Sequence, residues 1–221
     1  GRGEAFDYLL GELTIPEAFK ATKVAAATLL LANNPIISVN GNVATLAPKE
    51  VVKLAESVGA KIEVNLFHRT LEREIAIMKK MKTCGAKEVL GVGKAASSEL
   101  KGLESSRRWV DPEGIMTADT VLAPLEDGDR TAALRKAGKT VITIDLNPLS
   151  RTAQTASITI VDNIVRAMPL IVEESTILRK IDKNDLKDMI KRFDNKVNLD
   201  KSLGYIANRL EKIASIRVNS Q

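Results

Sequence analysis

Short apolar runs rich in β-branched residues alternate with helical patterns along most of this chain, and this alternation restricts its fold more than any other feature. Runs that are apolar on both faces are typical of strands covered by helices on both sides. Strands that alternate with helices predict a parallel sheet with helical crossovers. The fold class predicted is therefore α/β, with a doubly wound, mainly parallel sheet. Six strands are expected, at 36–39, 61–66, 88–92, 120–123, 140–145 and 157–161.

Helical periodicity marks the segments between these strands and everything after them. Pro16 and Pro48 stand where first-turn prolines begin helices, and Gly59, Gly85 and Gly138 stand where helices end. From residue 163 the pattern stays helical and no strand follows. We expect two units: a sheet domain over 1–162 and a C-terminal helical extension over 163–221, packed on that domain or on a partner subunit. The stretch 97–112 is expected to be a loop.

Composition excludes several classes of function. The chain of 221 residues has 33 basic and 28 acidic residues, and 11 of the basic against 6 of the acidic residues lie in 176–221, where the charges alternate as on solvated helices. With 3% aromatic residues, we expect no nucleic-acid partner. No apolar run reaches the roughly 20 residues of a membrane span. One cysteine and one histidine allow neither an internal disulfide nor a zinc site, and they fit a cytoplasmic protein.

Candidate ligand-binding residues follow the strands, because open parallel sheets bind ligands beyond their carboxyl ends. Asn40, Gly41 and Asn42 follow the first strand, where the alternative is a strand-to-helix turn, since Asn-Gly is a common turn pair. Asn65 and Arg69 follow the second, next to a lone His68 that is more often a surface residue than a proton shuttle. We treat the asparagines and arginine as candidate substrate-binding residues.

An acidic loop follows the strand at 120–123. Glu126, Asp127 and Asp129 lie within four residues and suit Mg²⁺ or an ammonium group, and Arg130 adds a cation for substrate. The alternative is that Asp129 only caps the next helix, which explains one acid but not three. Mg²⁺ is therefore predicted at this loop.

The most polar strand end follows 140–145. Asp145 can accept hydrogen bonds from ribose hydroxyls, and Arg151 offers a planar guanidinium for phosphate, with Ser150 and Thr152 as hydroxyl donors. A loop without a ligand does not require so many polar groups. By contrast, the segment 91–96 matches a relaxed dinucleotide fingerprint, but the second strand with its acid is missing, and we set it aside.

Several long motifs resemble the archaeal 4-phosphopantoate–β-alanine ligase family, also called phosphopantothenate synthetase. They are GRGEAFDYLLGE from Gly1, SVNGNVATLAP from Ser38, EVNLFHRT from Glu63, PLEDGDRT from Pro124, and IDLNPLSRTA and ITIVDNIVRA after Ile144. The resemblance is strong to about residue 169 and weaker beyond it. Family members are expected to carry a further helical segment before the first motif, with another arginine that contacts ATP.

The resemblance implies a Rossmann-like homodimer that joins 4-phosphopantoate to β-alanine through an acyl-adenylate, forming 4′-phosphopantothenate, AMP and diphosphate on the way to coenzyme A. It implies no single catalytic residue. Two other hypotheses stay open: a non-catalytic nucleotide-binding sensor and a nucleic-acid-binding module on the C-terminal helices. The ATP contacts that the resemblance implies are Arg2, Asp145, Leu146, Asn147, Arg151, Thr152, Asn163 and Ile164.

Overall fold

The computed structural model describes residues 3–218, with side chains to residue 216. The strands are β1 Pro35–Val39, β2 Lys61–Val64, β3 Ser98–Glu99, β4 Trp109–Val110, β5 Thr120–Leu122, β6 Thr140–Ile144 and β7 Ile158–Ile160. The helices are α1 Glu4–Leu10, α2 Pro16–Leu31, α3 Gly41–Leu46, α4 Pro48–Val58, α5 Leu71–Thr83, α6 Gly128–Lys136, α7 Arg151–Thr155, α8 Ile164–Leu178, α9 Lys183–Lys191 and α10 Asn195–Val218. Single 3₁₀ turns lie at Gly93–Ala95 and Ser106–Arg108.

Five of these strands form one parallel sheet in the order β2-β1-β5-β6-β7. The chain first moves outward from β1 to β2 and then returns to the other side of β1 to add β5, β6 and β7. The strand order therefore reverses between β1 and β5. The predicted α/β class with a Rossmann-like, doubly wound parallel sheet is confirmed.

Alternate residues of β1, β5 and β6 face two different cores, as the period of two requires. On the first face, Ile37 and Ile142 pack with apolar residues of α2, α4 and α8. On the second face, Ile36 and Val121 pack with α6 and with the segment 100–118. Both faces of these three strands are thus covered, which explains why most of their residues are apolar.

The prediction of a strand at 88–92 is wrong. Within that stretch the structure has a single parallel bridge, between Leu90 and Glu63 on β2. Gly91 and Gly93 have φ values of 77° and 60°, which turn the chain away before a ladder can form. The predicted loop at 97–112 is also incomplete, because β3 and β4 pair there as a short antiparallel ladder.

The helical tail lies on the first face and on one edge of the sheet. α8 packs against α2 and α4, and α9 packs against α2. Along α10, the Asn198 side chain donates to the Thr159 carbonyl at 2.9 Å and Asn195 Oδ1 accepts from the Thr159 amide at 2.8 Å. These bonds satisfy backbone groups on the outer strand β7 and so protect that edge. The tail shares the first core, and the division at residue 163 stays a prediction.

Over residues 3–218, the structure has no helix with the length and apolar character that crossing a membrane requires.

Candidate active site

The carboxyl ends of all five parallel strands lie along one edge of the sheet. The crevice expected there is between β1 and β5, where the strand order reverses and connections leave toward opposite faces. All of the predicted strand-end residues within the described part of the chain lie along this edge, whereas Arg2 lies outside the described residues.

Asn40 bridges the crevice itself. Its Nδ2 donates to the carbonyls of Pro124 and Leu125, both at 3.2 Å, while its Oδ1 accepts from the amides of Asn42 and Val43. The chain passes directly from β1 into a helix at this pair, because Asn40 caps α3 and Gly41 is its first residue. The Asn40 side chain therefore uses its polar atoms to join β1 to the loop after β5.

Leu125 adopts a left-handed backbone, with φ of 52°. A non-glycine residue pays a steric cost there, and such strain is concentrated at functional sites. It occurs next to Glu126, at the point where the strand order reverses. The Asn40 bond to the Leu125 carbonyl holds this conformation.

Asn65 and Arg69, after β2, hold a neighbouring segment in place. Asn65 Nδ2 donates to the carbonyls of Arg107 and Trp109, both at 3.2 Å. Arg69 donates to the Trp109 carbonyl at 3.1 Å and the Gly91 carbonyl at 2.9 Å, and it pairs with Glu74. Both side chains thus position the turn that carries Arg107.

Arg107 and Arg130 are charged residues of the site that lie almost out of solvent. Arg130, on α6, is fully buried, and Arg107 is 6% exposed. Both guanidinium groups pair with Glu126, and Arg130 also donates to Ser38 Oγ at 3.0 Å. Burial lowers the pKa of Arg130 to about 10, so that it keeps its charge at neutral pH.

The three acids of the loop after β5 have different surroundings. Glu126 lies between the two arginines, and Asp127 caps α6 through the Arg130 amide at 2.8 Å and also pairs with Arg107. Asp129 forms an exposed ion pair with Arg151 at 2.9 Å. In the part of the chain that the structure describes, no three Asp, Glu, His or Cys side chains are grouped to hold a metal ion. The assignment of Mg²⁺ to these acids stays a prediction.

The loop after β6 is ordered by Asp145. One carboxylate oxygen accepts from the Asn147 amide at 2.9 Å and the other from the Ser150 hydroxyl. Burial raises the pKa of Asp145 above its ordinary value, although both hydrogen bonds oppose the shift. Ser150 in turn caps α7 by accepting from the Ala153 amide, which places Arg151 in the first helical turn.

The loops after β5 and β6 interlock. Thr152 Oγ1 donates to the Glu126 carbonyl at 3.0 Å, and Arg151 reaches Asp129. A Cβ atom added to Gly128 would lie 2.6 Å from the Cβ of Arg151. Contacts this short do not occur between real side chains, so the two loops can approach this closely because residue 128 is glycine.

Helix α1 completes the edge beside β7. Asn163 caps α8 and donates to the Asp7 carboxylate at 2.8 Å, and Arg166 pairs with both Asp7 and Asp162. Gly3 lies against Leu146, in the loop after β6. The N-terminal segment and the loops after β6 and β7 therefore form one continuous wall, in which Ile164 is buried.

The segment 91–96 uses its backbone differently from a dinucleotide-binding turn. The Gly91 amide donates to Asp111 at 3.0 Å, and the Gly93 amide donates to Glu74 at 2.7 Å. Protein carboxylates thus take these two donors, which agrees with setting the fingerprint aside. His68 is exposed, and its ring packs edge-on against Phe67.

Comparison with known proteins decides the family. The model of the phosphopantothenate/pantothenate synthetase family matches residues 17–209, which include every strand end described above. The chain belongs to this family. The resemblance seen in the sequence motifs is thereby confirmed.

Curated archaeal members of the family are similar to this chain over almost its whole length. The 4-phosphopantoate–beta-alanine ligase of Methanosarcina mazei is 52% identical over 215 residues, which cover 97% of this chain and 84% of that protein. The protein of the same name from Thermococcus onnurineus is 51% identical, covering 97% and 82%. The one from Methanospirillum hungatei is 45% identical, covering 95% and 84%.

Arg107 and Ser38 also lie at the candidate site, although the sequence pattern does not predict this. Arg107 follows no strand of the main sheet, and it reaches the edge because Asn65 and Arg69 hold its segment there. The one feature of the sequence that pointed to Arg107 was the run Ser105–Trp109, which carries two adjacent arginines in a stretch expected to be a loop.

Proposed function

We propose that this protein is an ATP-dependent ligase that joins 4-phosphopantoate and β-alanine to give 4′-phosphopantothenate, AMP and diphosphate in coenzyme A biosynthesis. The observation that carries the proposal is that relatives with this name are 45–52% identical over nearly the whole chain. The geometry supports it, because polar loops follow the carboxyl ends of the five parallel strands along one edge of the sheet. A non-catalytic nucleotide-binding sensor would use the same loop after β6, so this loop does not distinguish the two functions. The names of the relatives favour the ligase.

The reaction has two steps. An oxygen of the 4-phosphopantoate carboxylate attacks the α-phosphorus of ATP, and the bond to diphosphate breaks. The neutral amine of β-alanine then attacks the acyl carbon, AMP leaves with the pair of electrons from the C–O bond, and the amine loses a proton. Positioning and neutralisation of charge account for such a reaction without a dedicated nucleophile, so we assign no catalytic residue.

We propose that ATP binds along the loops after β6 and β7. Asp145 lies where a ribose hydroxyl can share its acceptor oxygens, and Leu146, Asn147, Asn163 and Ile164 form the adjoining wall. Arg151 is the exposed cation of this group: its side chain is 76% exposed, and that of its partner Asp129 is 69% exposed. An exposed ion pair is weak, so exchange of Asp129 for the ATP phosphates is favourable.

We propose that Mg²⁺ binds together with ATP, the nucleotide substrate. Glu126 and Asp127 already balance buried arginines, which does not fit a metal site made by the protein alone. Mg²⁺ prefers to keep several waters and to bind phosphates with one or two carboxylates. Asp129 is the acid of the loop that is open to solvent and beside Arg151.

The acid substrate is proposed to bind between β1, β2 and β5. The proposed substrate-binding residues follow β1 and β2 and are Asn40, Gly41, Asn42, Asn65 and Arg69. In the structure the polar atoms of Asn40 and Arg69 mainly bind backbone groups. We therefore propose that these residues shape the substrate site. The negative charge of the substrate is neutralised by Arg130.

Arg151 provides the experimental test of the nucleotide site. Removing a charge-assisted phosphate contact costs about 1.5–3 kcal/mol, so Arg151→Ala should lower kcat/KM for ATP by roughly 10- to 150-fold. Arg151→Lys should recover part of the loss, because an ammonium cannot form the planar fork. The control is Arg179→Ala, which removes an exposed arginine at the end of α8.

The assay mixes the protein with ATP, Mg²⁺, 4-phosphopantoate and β-alanine and measures AMP and phosphopantothenate. Activity of folded Arg151→Ala within twofold of the parent would remove Arg151 from the site. ATP binding by the parent without formation of AMP would contradict the ligase and support a sensor. Chelation of the divalent cation should stop product formation.

A further inference from the structure

An acid on the N-terminal helix α1 reaches the wall to which we assign ATP. Asp7 is 4% exposed, and its two carboxylate oxygens accept from the two terminal nitrogens of Arg166 at 2.5 Å and 3.2 Å. The oxygen at the longer distance also accepts from Asn163 Nδ2 at 2.8 Å. Helices α1 and α8 are therefore joined at a residue that we propose to contact ATP.

Asp162 is a second buried acid that binds the same guanidinium group. Its Oδ1 accepts from Arg166 Nε at 2.9 Å and from the Asn163 amide at 2.7 Å, and its Oδ2 accepts from the Thr14 hydroxyl at 2.6 Å. Arg166 Nη2 lies 2.5 Å from Asp7 Oδ1 and 2.7 Å from Asp162 Oδ1. All three nitrogens of Arg166 thus hold acids of the protein, and this shared cation offsets the repulsion between two buried carboxylates.

The Asp7 carboxylate determines how the Asn163 side chain is oriented. An ionised carboxylate only accepts hydrogen bonds, so Asn163 turns its Nδ2 toward Asp7 and its Oδ1 toward the Val165 amide, at 3.3 Å. Burial acts to raise the pKa of Asp7, but hydrogen bonds from Arg166 and Asn163 hold it below its ordinary value. Asp7 therefore stays ionised at neutral pH and keeps Asn163 in this orientation.

The position of α1 depends on the same ion pair. A helix of seven residues is not stable alone in water, so contacts with the rest of the chain hold it in place. Of the residues of α1, all of which the structure describes, Asp7 and Leu10 are buried. The apolar contact of Leu10 has no preferred direction, whereas the planar guanidinium of Arg166 does. Gly3, at the start of α1, lies against Leu146, so the orientation of α1 affects the loop after β6.

We propose that Arg166 is a positioning residue for ATP, which fixes the Asn163 amide and the start of α1 through Asp7 without contacting the nucleotide. This inference rests on the proposed function, which assigns Asn163 and Leu146 to the ATP wall. Without the guanidinium group the two buried acids lose their shared cation, and α1 and Asn163 are released together. The proposed site for 4-phosphopantoate follows β1, β2 and β5, whereas Arg166 follows β7 at the far edge of the sheet. The loss of affinity should therefore be confined to ATP.

The experiment measures the binding of ATP and of 4-phosphopantoate, each separately, to the whole chain by calorimetry, for the parent and for Arg166→Gln. Misplacement of one or two hydrogen bonds to a ligand should lower the affinity for ATP by roughly 5- to 20-fold. 4-Phosphopantoate should bind within twofold of the parent. Arg166→Lys should recover part of the ATP affinity, because an ammonium group can pair with one acid but cannot form the fork that holds both.

Glu174→Gln is the matched control, since Glu174 also lies on α8 and forms an ion pair, with Lys23 on α2 at 3.8 Å. This variant should bind both ligands within twofold of the parent. Asp7→Asn is the second test variant, for the case that Arg166→Gln does not fold. It removes the charge that Arg166 holds and should lower the affinity for ATP selectively in the same way.

The ratio of the affinities for ATP and for 4-phosphopantoate is the decisive quantity, since a purely structural defect weakens both. An unchanged ratio in folded Arg166→Gln would overturn the inference, and so would an unchanged ratio in Asp7→Asn where the first variant does not fold. The proposed function fails separately: a parent protein that binds ATP but forms no AMP refutes the ligase and keeps the positioning role of Arg166.

Discussion

Leu125 shows at the scale of one residue what the crevice requires of the backbone. Its φ of 52° is costly for a side chain with a Cβ atom, and glycine carries no such cost. Elsewhere a change from alanine to glycine lowers stability. At residue 125 glycine also removes the steric strain of the left-handed backbone, which should cancel or reverse that loss of stability.

We therefore predict that Leu125→Gly is at least as stable as Leu125→Ala, with a difference of up to about 1 kcal/mol in favour of glycine. At Lys53, an exposed residue inside α4, the corresponding pair should show the usual loss of about 1 kcal/mol for glycine. Urea denaturation of the four variants gives the comparison. A glycine penalty of the same size at both positions would contradict the strained conformation.

Glu63 is a second residue with a measurable consequence. It is fully buried on β2, and its two carboxylate oxygens accept from the amides of Asp111 at 3.0 Å and Ile115 at 2.5 Å. Burial raises its pKa to about 7 from an ordinary 4.5, although both hydrogen bonds oppose the shift. Between these values the folded protein holds a proton that the unfolded chain has lost. The contribution of Glu63 to the free energy of unfolding therefore decreases as the pH rises from about 4.5 to 7.

We predict that Glu63→Gln removes this part of the pH dependence. The free energy of unfolding of each protein is measured by denaturant at pH 5 and at pH 8. The decrease between the two pH values should be smaller in Glu63→Gln than in the parent. Glu56→Gln, on the exposed face of α4, should keep the change of the parent. Equal changes in the parent and in Glu63→Gln would show that Glu63 does not titrate in this range.

At the scale of elements, the loops after β5 and β6 behave as one unit because residue 128 is glycine. Gly128→Ala places a Cβ atom 2.6 Å from the Cβ of Arg151, so that one loop has to move. Displacement of a positioning group by about 1 Å can cost up to about 100-fold in rate. We predict a loss of about tenfold in kcat/KM for ATP, on the same basis.

Gly204→Ala on α10 is the control, since a Cβ atom there meets nothing within 4 Å. In an Arg151→Gly background the Cβ of residue 151 is absent, and Gly128→Ala should then cause no further loss. A full additional loss in the double variant would mean that Gly128 acts through a contact other than Arg151.

At the scale of elements, some features of the candidate site could be predicted from the sequence and others could not. The strand ends after β1, β5 and β6 could be located because apolar runs and their polar successors are local in sequence. The direction in which Asn40 and Asn65 point could not, because their partners lie 84 and 42 positions away in the chain. The strand expected at 88–92 failed for a related reason: its residues are apolar enough, but Gly91 and Gly93 take left-handed conformations and the segment leaves β2 after one bridge.

At the scale of the whole molecule, we predict a homodimer, on the basis of the family and of a helical tail that adds no strand of its own within the described residues. Exposed apolar side chains such as Tyr8 on α1 and Leu210 on α10 are available for such an interface. Light scattering at micromolar concentration should give twice the mass of the chain. The mass of a single chain, for protein that forms product, would contradict the dimer.

The bond between Asn40 and the loop after β5 also has a consequence for how the chain folds. β5, β6 and β7 follow one another closely, and their pairing closes short loops, whereas the Asn40 side chain and the Pro124 carbonyl are 84 positions apart. Long-range closure costs more chain entropy and slows the formation of the contacts that depend on it. We expect the strands from β5 to β7 to assemble first and β1 to join them afterwards. The crevice would then be among the last parts of the molecule to form, so a newly made chain would gain its ligand sites only when folding is nearly complete.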